Sequence, residues 1–568
     1  MLIIRAVWFA ATIVQILHAT TLLAAYRAPF CSRGGMAATP HVTATEAAVE
    51  LLGKGGNAVD AAIAAAFALS VAEQYHSGLG GGEFALVYSV KSGKTEALDA
   101  REYAPANLTA DLFLDSTTGE PHPTKSWLGG LAVGVPGSVA GRAELHRKYG
   151  KLPWKDVVAP SIRLAKDGVV VDRILANRIA ALRDKFAENA DLVRTFFKNE
   201  KPLERGDLLK QPALAKCLVQ ISKDHGESFY NGAQAKEIES ASLKAGGALT
   251  AQDLSSYKFV WREPIKFSYR GYEVFSMPPP SSGGLCLAEI FNILEPFPLS
   301  YLGQGDPETL HLVASSFEFA FADRSRWLAD PGFVPQPIEG MSSRSYADKL
   351  RGSIKRELRI PVKEAGDPWI IAPKNTSHIS VIDKEGGMCA ITTSVNGAFG
   401  SLVYVPELGI FLNNTMDDFA ITPTTKNIYE LTQGEVNLCE PGKRPLSSMS
   451  PTLIFKDNRP FASIGSVGGP RIISSVAQMI INMVDYKLDV QAAIDVPRIH
   501  MQWQPAILYL EQEISPSTKR DLADRGWPVK SETRWSISQG VTVDWDKGLF
   551  YGGADSRGVG SAGPASIP

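Results

Sequence analysis

The sequence has few cysteines and almost no net charge. Its five cysteines among 568 residues form no C-x-x-C pair, which argues against a zinc ribbon and a disulfide-dense scaffold. A formal net charge of −2 gives no electrostatic reason to expect nucleic acid or an anionic membrane as partner. No G-x-S-x-G elbow is present, so nothing indicates a serine triad. The overall composition, 45% hydrophobic and 21% charged residues, is typical of a globular protein with a large core.

The first residues carry an apolar segment. Arg5 precedes a largely apolar run over residues 7–25 that ends in small residues. This pattern predicts a secretory signal peptide over residues 1–25, with the body of the protein periplasmic or secreted. The run is long and is interrupted by Gln15 and His18, so an uncleaved membrane anchor with an extracytoplasmic body is the alternative.

A hairpin pattern lies about two thirds of the way along the chain. Apolar residues alternate from Ile379 to Val395 on both sides of the turn residues 384–387, which predicts a β-hairpin with Thr376 at the start of its first strand. A threonine hydroxyl is a poor nucleophile without a base. If the chain were cut before Thr376, the freed α-amino group, with a pKa of about 8, could take that proton. Nucleophile and base would then be one residue.

A family resemblance is carried by the same segment. Residues 376–381, Thr-Ser-His-Ile-Ser-Val, resemble the T-x-H-x-S-V segment at the head of the small subunit of γ-glutamyltransferases, which belong to the N-terminal-nucleophile hydrolase superfamily. In that family the chain cuts itself before this threonine. The resemblance covers nearly all of residues 37–563. It implies a large subunit, residues 26–375, and a small catalytic subunit, residues 376–568, that remain one folded body.

Other motifs of the family imply how a γ-glutamyl substrate would be held. Arg101 matches the arginine of R-E-x-A-P, which binds the α-carboxylate, a role suited to a guanidinium fork. Ser447 and Ser448 match the paired serines of P-L-S-S-M-x-P-T, which bind the same carboxylate. Asp418 matches the second aspartate of N-N-[EQ]-M-D-D-F, which holds the α-amino group.

The resemblance also implies the residues around the nucleophile. Ser394 matches a threonine that contacts the nucleophile, and Asn396 matches a residue of the substrate pocket. Gly468 and Gly469 match the pair whose amides form the oxyanion hole, where the absence of a side chain lets the donors approach closely. Residues 421–433 resemble a lid loop whose tyrosine, here Tyr429, closes over the pocket.

One position departs from the family pattern. Thr415 stands where the family offers glutamate or glutamine to the substrate's ammonium group. A threonine hydroxyl is uncharged and shorter, so we expect Asp418 to carry this recognition alone and the discrimination between γ-glutamyl and glutaryl donors to be weaker.

Local signals predict several elements outside the hairpin. Thr43 and Glu46 are spaced as a capping box before a helix, and Asn57 is placed to cap an alanine-rich second helix. A strand is expected over residues 84–90, mainly helix over 130–260, and a helix over 285–294. The proline- and charge-rich residues 330–374 read as an exposed, mobile connector before the cut.

Together these features predict an α/β (α+β) protein with the four-layer αββα sandwich of the superfamily. The implied reaction is transfer of the γ-glutamyl group of glutathione or a related amide to water, an amino acid or a peptide. No metal or organic cofactor is required, and no nucleic-acid partner is expected. Two alternatives stay open: a related acylase of the cephalosporin or glutaryl type, and an uncleaved, non-catalytic binding protein.

Overall fold

The computed structural model describes residues 27–368 and 378–565. Two seven-stranded sheets lie at its centre, and every adjacent strand pair in them is antiparallel. Their strands in chain order are β1 (Phe30–Ser32), β2 (Gly35–Thr39), β3 (Gly82–Ser89), β4 (Lys94–Ala100), β5 (Val260–Arg262), β6 (Ile265–Tyr269), β7 (Tyr272–Ser276), β8 (Ile379–Asp383), β9 (Met388–Ser394), β10 (Thr452–Lys456), β11 (Arg459–Val467), β12 (Ile537–Asp544), β13 (Leu549–Ala554) and β14 (Ser561–Pro564). The first sheet has the order β1-β13-β12-β11-β10-β7-β6 and the second the order β14-β2-β8-β9-β3-β4-β5.

Alternating side chains fill the space between the two sheets. Ile382 and Met388 of the second sheet belong to one buried cluster with Leu453 and Val541 of the first. Their neighbours along the strands point the other way, so that Val381 packs in the cluster formed with the helices. Each sheet therefore has two buried faces.

Helices cover both outer faces. In chain order they are α1 (Val42–Gly53), α2 (Ala58–Ala72), α3 (Ser138–Tyr149), α4 (Trp154–Asp167), α5 (Arg173–Ala181), α6 (Arg183–Ala187), α7 (Ala190–Phe196), α8 (Pro212–Asp224), α9 (Glu227–Asn231), α10 (Ala233–Lys244), α11 (Ala251–Ser255), α12 (Gly283–Leu294), α13 (Leu299–Leu302), α14 (Pro307–Trp327), α15 (Ile338–Met341), α16 (Arg344–Arg351), α17 (Arg471–Val484), α18 (Val490–Asp495) and α19 (Pro516–Asp524). Helices α1 to α4 and α8 to α11 pack on the second sheet, and α12, α14, α17 and α18 on the first. The predicted αββα sandwich is confirmed.

The predicted hairpin is confirmed from Ile379 onward. Strand β8 pairs with β9 so that Ile379 faces Ile391 and Ile382 faces Met388. The turn contains Gly386 at a φ of 93°, a conformation that glycine adopts without strain. The predicted strand start at Thr376 lies outside the described residues, as does the predicted signal peptide.

Helix starts were predicted with mixed success. Asn57 caps α2 as expected, in a reciprocal capping box with Asp60. The capping box predicted at Thr43 is wrong, because His41 is the N-cap of α1 and its ring accepts from the Thr43 amide at 3.2 Å. Thr43 lies inside the first turn. The predicted strand is β3, and the predicted helices after residue 130 and at residues 285–294 are also present.

The described part of the expected connector, residues 330–368, is largely exposed after residue 351, as predicted, whereas its first part is folded against the body; the expected mobility stays a prediction. The first part contains α15 and α16, and Tyr346 and Leu350 of α16 pack against Ile293 of α12. The Gly366 amide donates to Asp323 at 2.7 Å. Helix α16 is amphipathic, with Tyr346 and Leu350 on its buried face and Lys349 exposed, a local pattern that a judgement by composition overlooks.

Each sheet mixes strands from both sides of the proposed cut. In the first sheet β1, β6 and β7 precede residue 375 and β10 to β13 follow it; in the second, β8, β9 and β14 are added to β2 to β5. The β8–β9 hairpin lies between β2 and β3 at the centre of its sheet. Among the described residues, no helix is long and apolar enough to cross a membrane.

Candidate active site

A cavity of about 680 Å³ brings distant parts of the sequence together. Most of the residues that the motifs predict for the site line this one cavity: Ser394, Asn396, Asp418, Tyr429, Ser447, Ser448, Gly468 and Gly469. Arg101 and Thr415 do not line it, and Thr376 lies outside the described residues. The cavity is large enough for a peptide-sized substrate.

The end of strand β9 forms one wall of the cavity. Ser394 Oγ accepts from the Asn396 amide at 2.8 Å, and Asn396 Nδ2 donates to the carbonyl of Asn414 at 3.1 Å. Asn396 has a φ of 72°, a left-handed conformation that asparagine tolerates. The glycine run preceding β3 packs beneath: a Cβ on Gly81 would lie 1.9 Å from the carbonyl oxygen of Ser394.

The glycine pair lies between strand β11 and helix α17. Gly468 and Gly469 have φ values of 129° and 59°, which other residues adopt only with strain. Their two amides donate no hydrogen bond to any residue in the described part of the chain. The N-terminus of α17 adds a partial positive charge nearby. Unpaired amides in this setting can stabilise a developing oxyanion.

The serine pair is fixed by a neighbouring turn. Ser282 Oγ donates to the Ser447 carbonyl at 3.1 Å, and Ser281 Oγ donates to the Met449 carbonyl. Both donors belong to the Pro-Pro-Pro-Ser-Ser-Gly-Gly turn that leads into α12. The turn therefore holds the backbone of the loop that presents Ser447 and Ser448 to the cavity.

Asp418 is a buried carboxyl group in the wall of the cavity. Its carboxylate accepts from Arg101 Nη2 at 2.7 Å and from Asn427 Nδ2 at 3.0 Å. Burial raises the pKa of Asp418 and outweighs the opposing effect of Arg101. Arg101 lies behind this carboxylate, so in this structure its guanidinium reaches the cavity only through Asp418.

Thr415 has a partner that the motif did not suggest. Its side chain is fully buried, and its hydroxyl donates to Glu102 Oε1 at 2.9 Å. Glu102 is also fully buried, and burial raises the pKa of its carboxyl group. A glutamate at position 415 would place a second carboxylate against Glu102, which like-charge repulsion disfavours.

The lid loop, residues 421–433, covers the glycine pair. The Tyr429 hydroxyl donates to the Asn396 carbonyl at 3.1 Å. A Cβ on Gly469 would lie 2.8 Å from the Tyr429 ring, so the ring rests directly on the backbone there. The Ile428 amide donates to Asp417 Oδ2 at 2.8 Å, and burial raises the pKa of Asp417 to about 7. Asp417 thus anchors the lid.

Arg324 is a cavity residue that the motifs missed. It is fully buried on α14, its Nε donates to Ser282 Oγ at 3.1 Å, and its Nη2 has no partner among the described residues. Burial lowers the pKa of its guanidinium to about 10, so it remains charged at neutral pH. The apolar spacing of Phe317, Phe321 and Leu328 places position 324 on the buried face of the helix, and this signal could have identified it.

The motifs also missed one wall of the cavity, which is formed by Arg471, Tyr509, Trp535 and Ser536. The Arg471 guanidinium lies 5.1 Å from the Tyr509 ring centre and 4.8 Å from that of Trp535. Ser536 follows Trp535 at the cavity surface. These residues come from separate segments of the last hundred residues, and nothing in their local sequence indicates that they meet.

His378 is the first described residue after the predicted cut. Burial lowers the pKa of its imidazole to about 3, so the ring stays neutral. Its Nε2 shares a hydrogen bond with Ser380 Oγ at 2.6 Å, and a Cβ on Gly465 would lie 2.1 Å from the ring. The ring therefore fixes the start of β8 against the first sheet.

Comparison with known proteins identifies relatives over nearly the whole chain. The family model described as gamma-glutamyltranspeptidase matches residues 44–565. The glutathione hydrolase proenzyme of Escherichia coli (strain K12) is 42% identical over 535 residues, which cover 94% of this chain and 92% of that protein.

Two solved structures are also similar to this chain. The crystal structure of cephalosporin acylase from Bacillus halodurans is 29% identical and superposes with a TM-score of 0.85, covering 95% of this chain and 98% of that chain. The crystal structure of Helicobacter pylori gamma-glutamyltranspeptidase is 38% identical, with a TM-score of 0.55, covering 60% of this chain and 95% of that chain.

Proposed function

The chain belongs to the gamma-glutamyltranspeptidase family and is an enzyme of that family, and from this premise we propose that it is a glutathione hydrolase and γ-glutamyltransferase. The precursor would cut itself before Thr376 into a large and a small chain. The mature enzyme would transfer the γ-glutamyl group of glutathione or a related amide to water, an amino acid or a peptide.

The proposal rests on one observation: a single cavity brings together groups that complement a γ-glutamyl substrate. One cavity joins a carboxyl group at Asp418, the side chains of Ser447 and Ser448, and the amides of Gly468 and Gly469, which donate to no residue in the described part of the chain. A γ-glutamyl group offers a matching set: an ammonium group, a carboxylate and, at the far end, an acyl carbonyl. The fully buried Arg324 supplies a further cation for the carboxylate.

The chemistry would proceed in two acyl transfers. The Thr376 hydroxyl attacks the γ-carbonyl while the freed α-amino group takes its proton, and the carbonyl electron pair moves onto oxygen. The glycine amides stabilise that oxyanion until the C–N bond breaks and the protonated amine leaves. Water or an amine then attacks the γ-glutamyl-threonine ester, and the threonine hydroxyl is regenerated.

A second candidate function is a related acylase of the cephalosporin or glutaryl type. It is supported by the similarity to cephalosporin acylase and by Thr415, which is bonded to Glu102 and offers nothing to a substrate ammonium group. Such an enzyme would need the nucleophile and the oxyanion site but no recognition of an α-amino group.

The test compares processing and donor preference. Purified wild type should give two bands on a denaturing gel, with the smaller one beginning at Thr376, and Thr376→Ala should give one band and no activity. Ser377→Ala is the matched control and should be cut normally. An uncut wild type would support the non-catalytic alternative, and a normally cut Thr376→Ala would remove the nucleophile assignment.

Donor preference then separates the two enzymatic functions. We expect wild type to hydrolyse a γ-glutamyl anilide with a kcat/KM at least about tenfold above that for the matched glutaryl anilide, because one charge-assisted hydrogen bond contributes roughly 1.5 to 3 kcal/mol. The reverse preference would assign the acylase.

The location of the enzyme is proposed from its first residues. Arg5 and the apolar run over residues 7–25 support export through a signal peptide, or retention by an anchor, with the catalytic body outside the cytoplasm. The N-terminal residue of the mature large chain, read by mass spectrometry of the periplasmic fraction, distinguishes the two.

A further inference from the structure

Two polar atoms at one wall of the cavity have no hydrogen-bond partner in the described part of the chain. Trp535 Nε1 and Ser536 Oγ are both buried, and neither forms a hydrogen bond within the described residues. Both residues line the cavity that holds the glycine pair. Buried donors are nearly always paired in folded proteins, so two adjacent unpaired donors at a cavity wall indicate a group that binds there.

Ser536 also has an unusual backbone conformation. Its φ is 55°, in the left-handed region that residues other than glycine, asparagine, aspartate and histidine seldom occupy. Such a conformation is strained and persists only where the surroundings fix it. Strain of this kind is concentrated at functional sites.

A buried ionic network fixes this conformation from both sides. The Trp535 amide donates to Glu511 Oε1 at 3.1 Å, and the Ser538 amide donates to Asp555 Oδ2 at 2.8 Å. Arg557 Nη2 binds Glu511 and its Nη1 binds Asp555 at 3.0 Å. Trp535, directly before Ser536, and Ser538, two residues after it, are therefore held by one pair of linked carboxylates.

The hydroxyl of Ser536 lies against the oxyanion glycines. A Cβ on Gly468 would lie 2.5 Å from Ser536 Oγ, so the hydroxyl occupies the space next to this residue's Cα. The amides of Gly468 and Gly469 are themselves unpaired in the described part of the chain. Three donors without a partner among the described residues thus border the same part of the cavity.

We propose that Ser536 is a catalytic residue whose hydroxyl donates a third hydrogen bond to the oxyanion, an inference that rests on the proposed function. When the nucleophile attacks, the C=O electron pair moves to oxygen, and Ser536 Oγ–H donates to that oxygen without transferring its proton. When the intermediate collapses, the pair re-forms the C=O bond and the amine leaves. The hydrogen bond is stronger to the oxyanion than to the planar carbonyl, so it accelerates the reaction.

The test uses two substitutions with opposite effects on the backbone. Ser536→Ala removes the hydroxyl and keeps the strain, whereas Ser536→Gly removes the hydroxyl and relieves the strain. Both should lower kcat on the order of 10²-fold with little change in KM, measured on the acyl anilide that wild type hydrolyses. Ser531→Ala, at an exposed site on the same segment, is the matched control and should match wild type.

A second readout separates oxyanion binding from a structural role. A boronic acid analogue of the acyl group forms a tetrahedral anion with the nucleophile, whereas the planar carboxylic acid product does not. In both variants the inhibition constant of the boronate should rise by the same factor by which kcat falls, and that of the product should stay constant. Two bands on a denaturing gel and an unchanged melting temperature of Ser536→Gly establish that the variant is processed and folded.

Three results would overturn the inference. A Ser536→Gly enzyme with kcat within about twofold of wild type would show that the hydroxyl is not needed. A loss of kcat without loss of boronate affinity would assign Ser536 to some other step. A proportional loss of product affinity would make it a ground-state binding residue. Failure of the proposed function looks different, since wild type itself would then fail to hydrolyse γ-glutamyl anilides.

Discussion

Two arginines, Arg101 and Arg324, differ in whether their guanidinium groups can contact a substrate in the cavity. Arg101 already holds Asp418 with Nη2 at 2.7 Å and does not line the cavity. Arg324 lines the cavity with one guanidinium nitrogen unpaired among the described residues. Because an unpaired buried cation is costly, a carboxylate that reaches Arg324 gains a strong, desolvated hydrogen bond.

We therefore predict that Arg324→Gln raises KM for γ-glutamyl donors about 10- to 100-fold, with a smaller effect on kcat. The estimate follows from losing one charge-assisted hydrogen bond of roughly 1.5 to 3 kcal/mol. Arg324→Lys keeps the charge without the fork and should lie between Gln and wild type. Steady-state kinetics on a γ-glutamyl anilide measures the effect.

Arg326→Gln is the control for this substitution, since Arg326 is exposed two residues further along the same helix. Its KM should equal that of wild type. An Arg324→Gln enzyme with unchanged KM and an unchanged melting temperature would place the substrate carboxylate elsewhere in the cavity.

At the residue scale the sequence identified side chains better than it identified their contacts. Asp418, Ser447 and the glycine pair were predicted by motif and line one cavity. The pairing of Arg101 with Asp418 and of Thr415 with Glu102 was not predicted, because motifs specify which residues are present and not which of them bond in the empty site. The left-handed φ of Ser536 has no local sequence signal, because the carboxylates that fix the chain on both sides of it, Glu511 and Asp555, come from other segments.

Among the elements, the lid is buried at both ends, through Ile421 and Leu431, and is held at its tip by polar contacts. The main described contacts of its tip with the body are the Tyr429 hydroxyl on Asn396, Asn427 on Asp418, Ile428 on Asp417 and Gln502 on the Tyr429 carbonyl. One of these anchors titrates near neutrality, because burial raises the pKa of Asp417 to about 7.

We predict that lid opening becomes easier as pH rises from about 5 to 8. In the closed lid Asp417 keeps its proton up to a pKa of about 7, whereas an open lid exposes a carboxyl group that ionises at about 3.9. Between these values the closed state binds the extra proton, so raising the pH favours opening, on the order of tenfold or more over this range. Hydrogen exchange of residues 421–433, corrected for the intrinsic rate, measures it.

Asp417→Asn is the informative variant, because asparagine keeps the shape and can still accept from the Ile428 amide but does not titrate. Its lid exchange should no longer depend on pH beyond the intrinsic rate. The β8–β9 hairpin is the internal reference and should show no pH effect in either protein. A pH dependence that persists in Asp417→Asn would assign the titration to another group.

Strong periodicity and turn chemistry made some elements predictable from sequence. The β8–β9 hairpin and α2 were placed correctly because alternation, a glycine turn and an asparagine cap all agree. The start of α1 was misplaced because a histidine ring serves as its cap. The short helices α15 and α16 were not predicted, because the many prolines and charges of residues 330–368 hide their weak apolar periodicity.

At the scale of the whole molecule, the proposed cut does not follow any boundary of the fold. Both sheets combine strands from before and after residue 375, and β8 and β9 lie at the centre of theirs. Removing either chain would leave each remaining sheet with missing strands and an exposed hydrophobic core. We therefore expect the two chains that the proposed cut would produce to depend on each other for folding.

We predict that the processed enzyme behaves as a single folded body. Its two chains should elute together in size-exclusion chromatography at any salt concentration, unfold in one thermal transition, and separate only in denaturant. The uncut Thr376→Ala protein is the matched control and should show the same elution volume. Two separate peaks from the native processed protein, or a folded small chain expressed alone, would contradict this.

Because both sheets combine strands from the two sides of the cut, folding is easier before the cut than after it. In the precursor every strand finds its neighbour within one chain, and the entropy cost of each contact is only that of closing a loop. After the cut, any complete unfolding yields two molecules that must meet again by diffusion, at a rate that depends on their concentration. Exposed β8 and β9 sequences would compete through aggregation during that search. The mature enzyme is thus protected by the height of its unfolding barrier and not by its ability to refold, so its working lifetime is a kinetic quantity fixed when it is made.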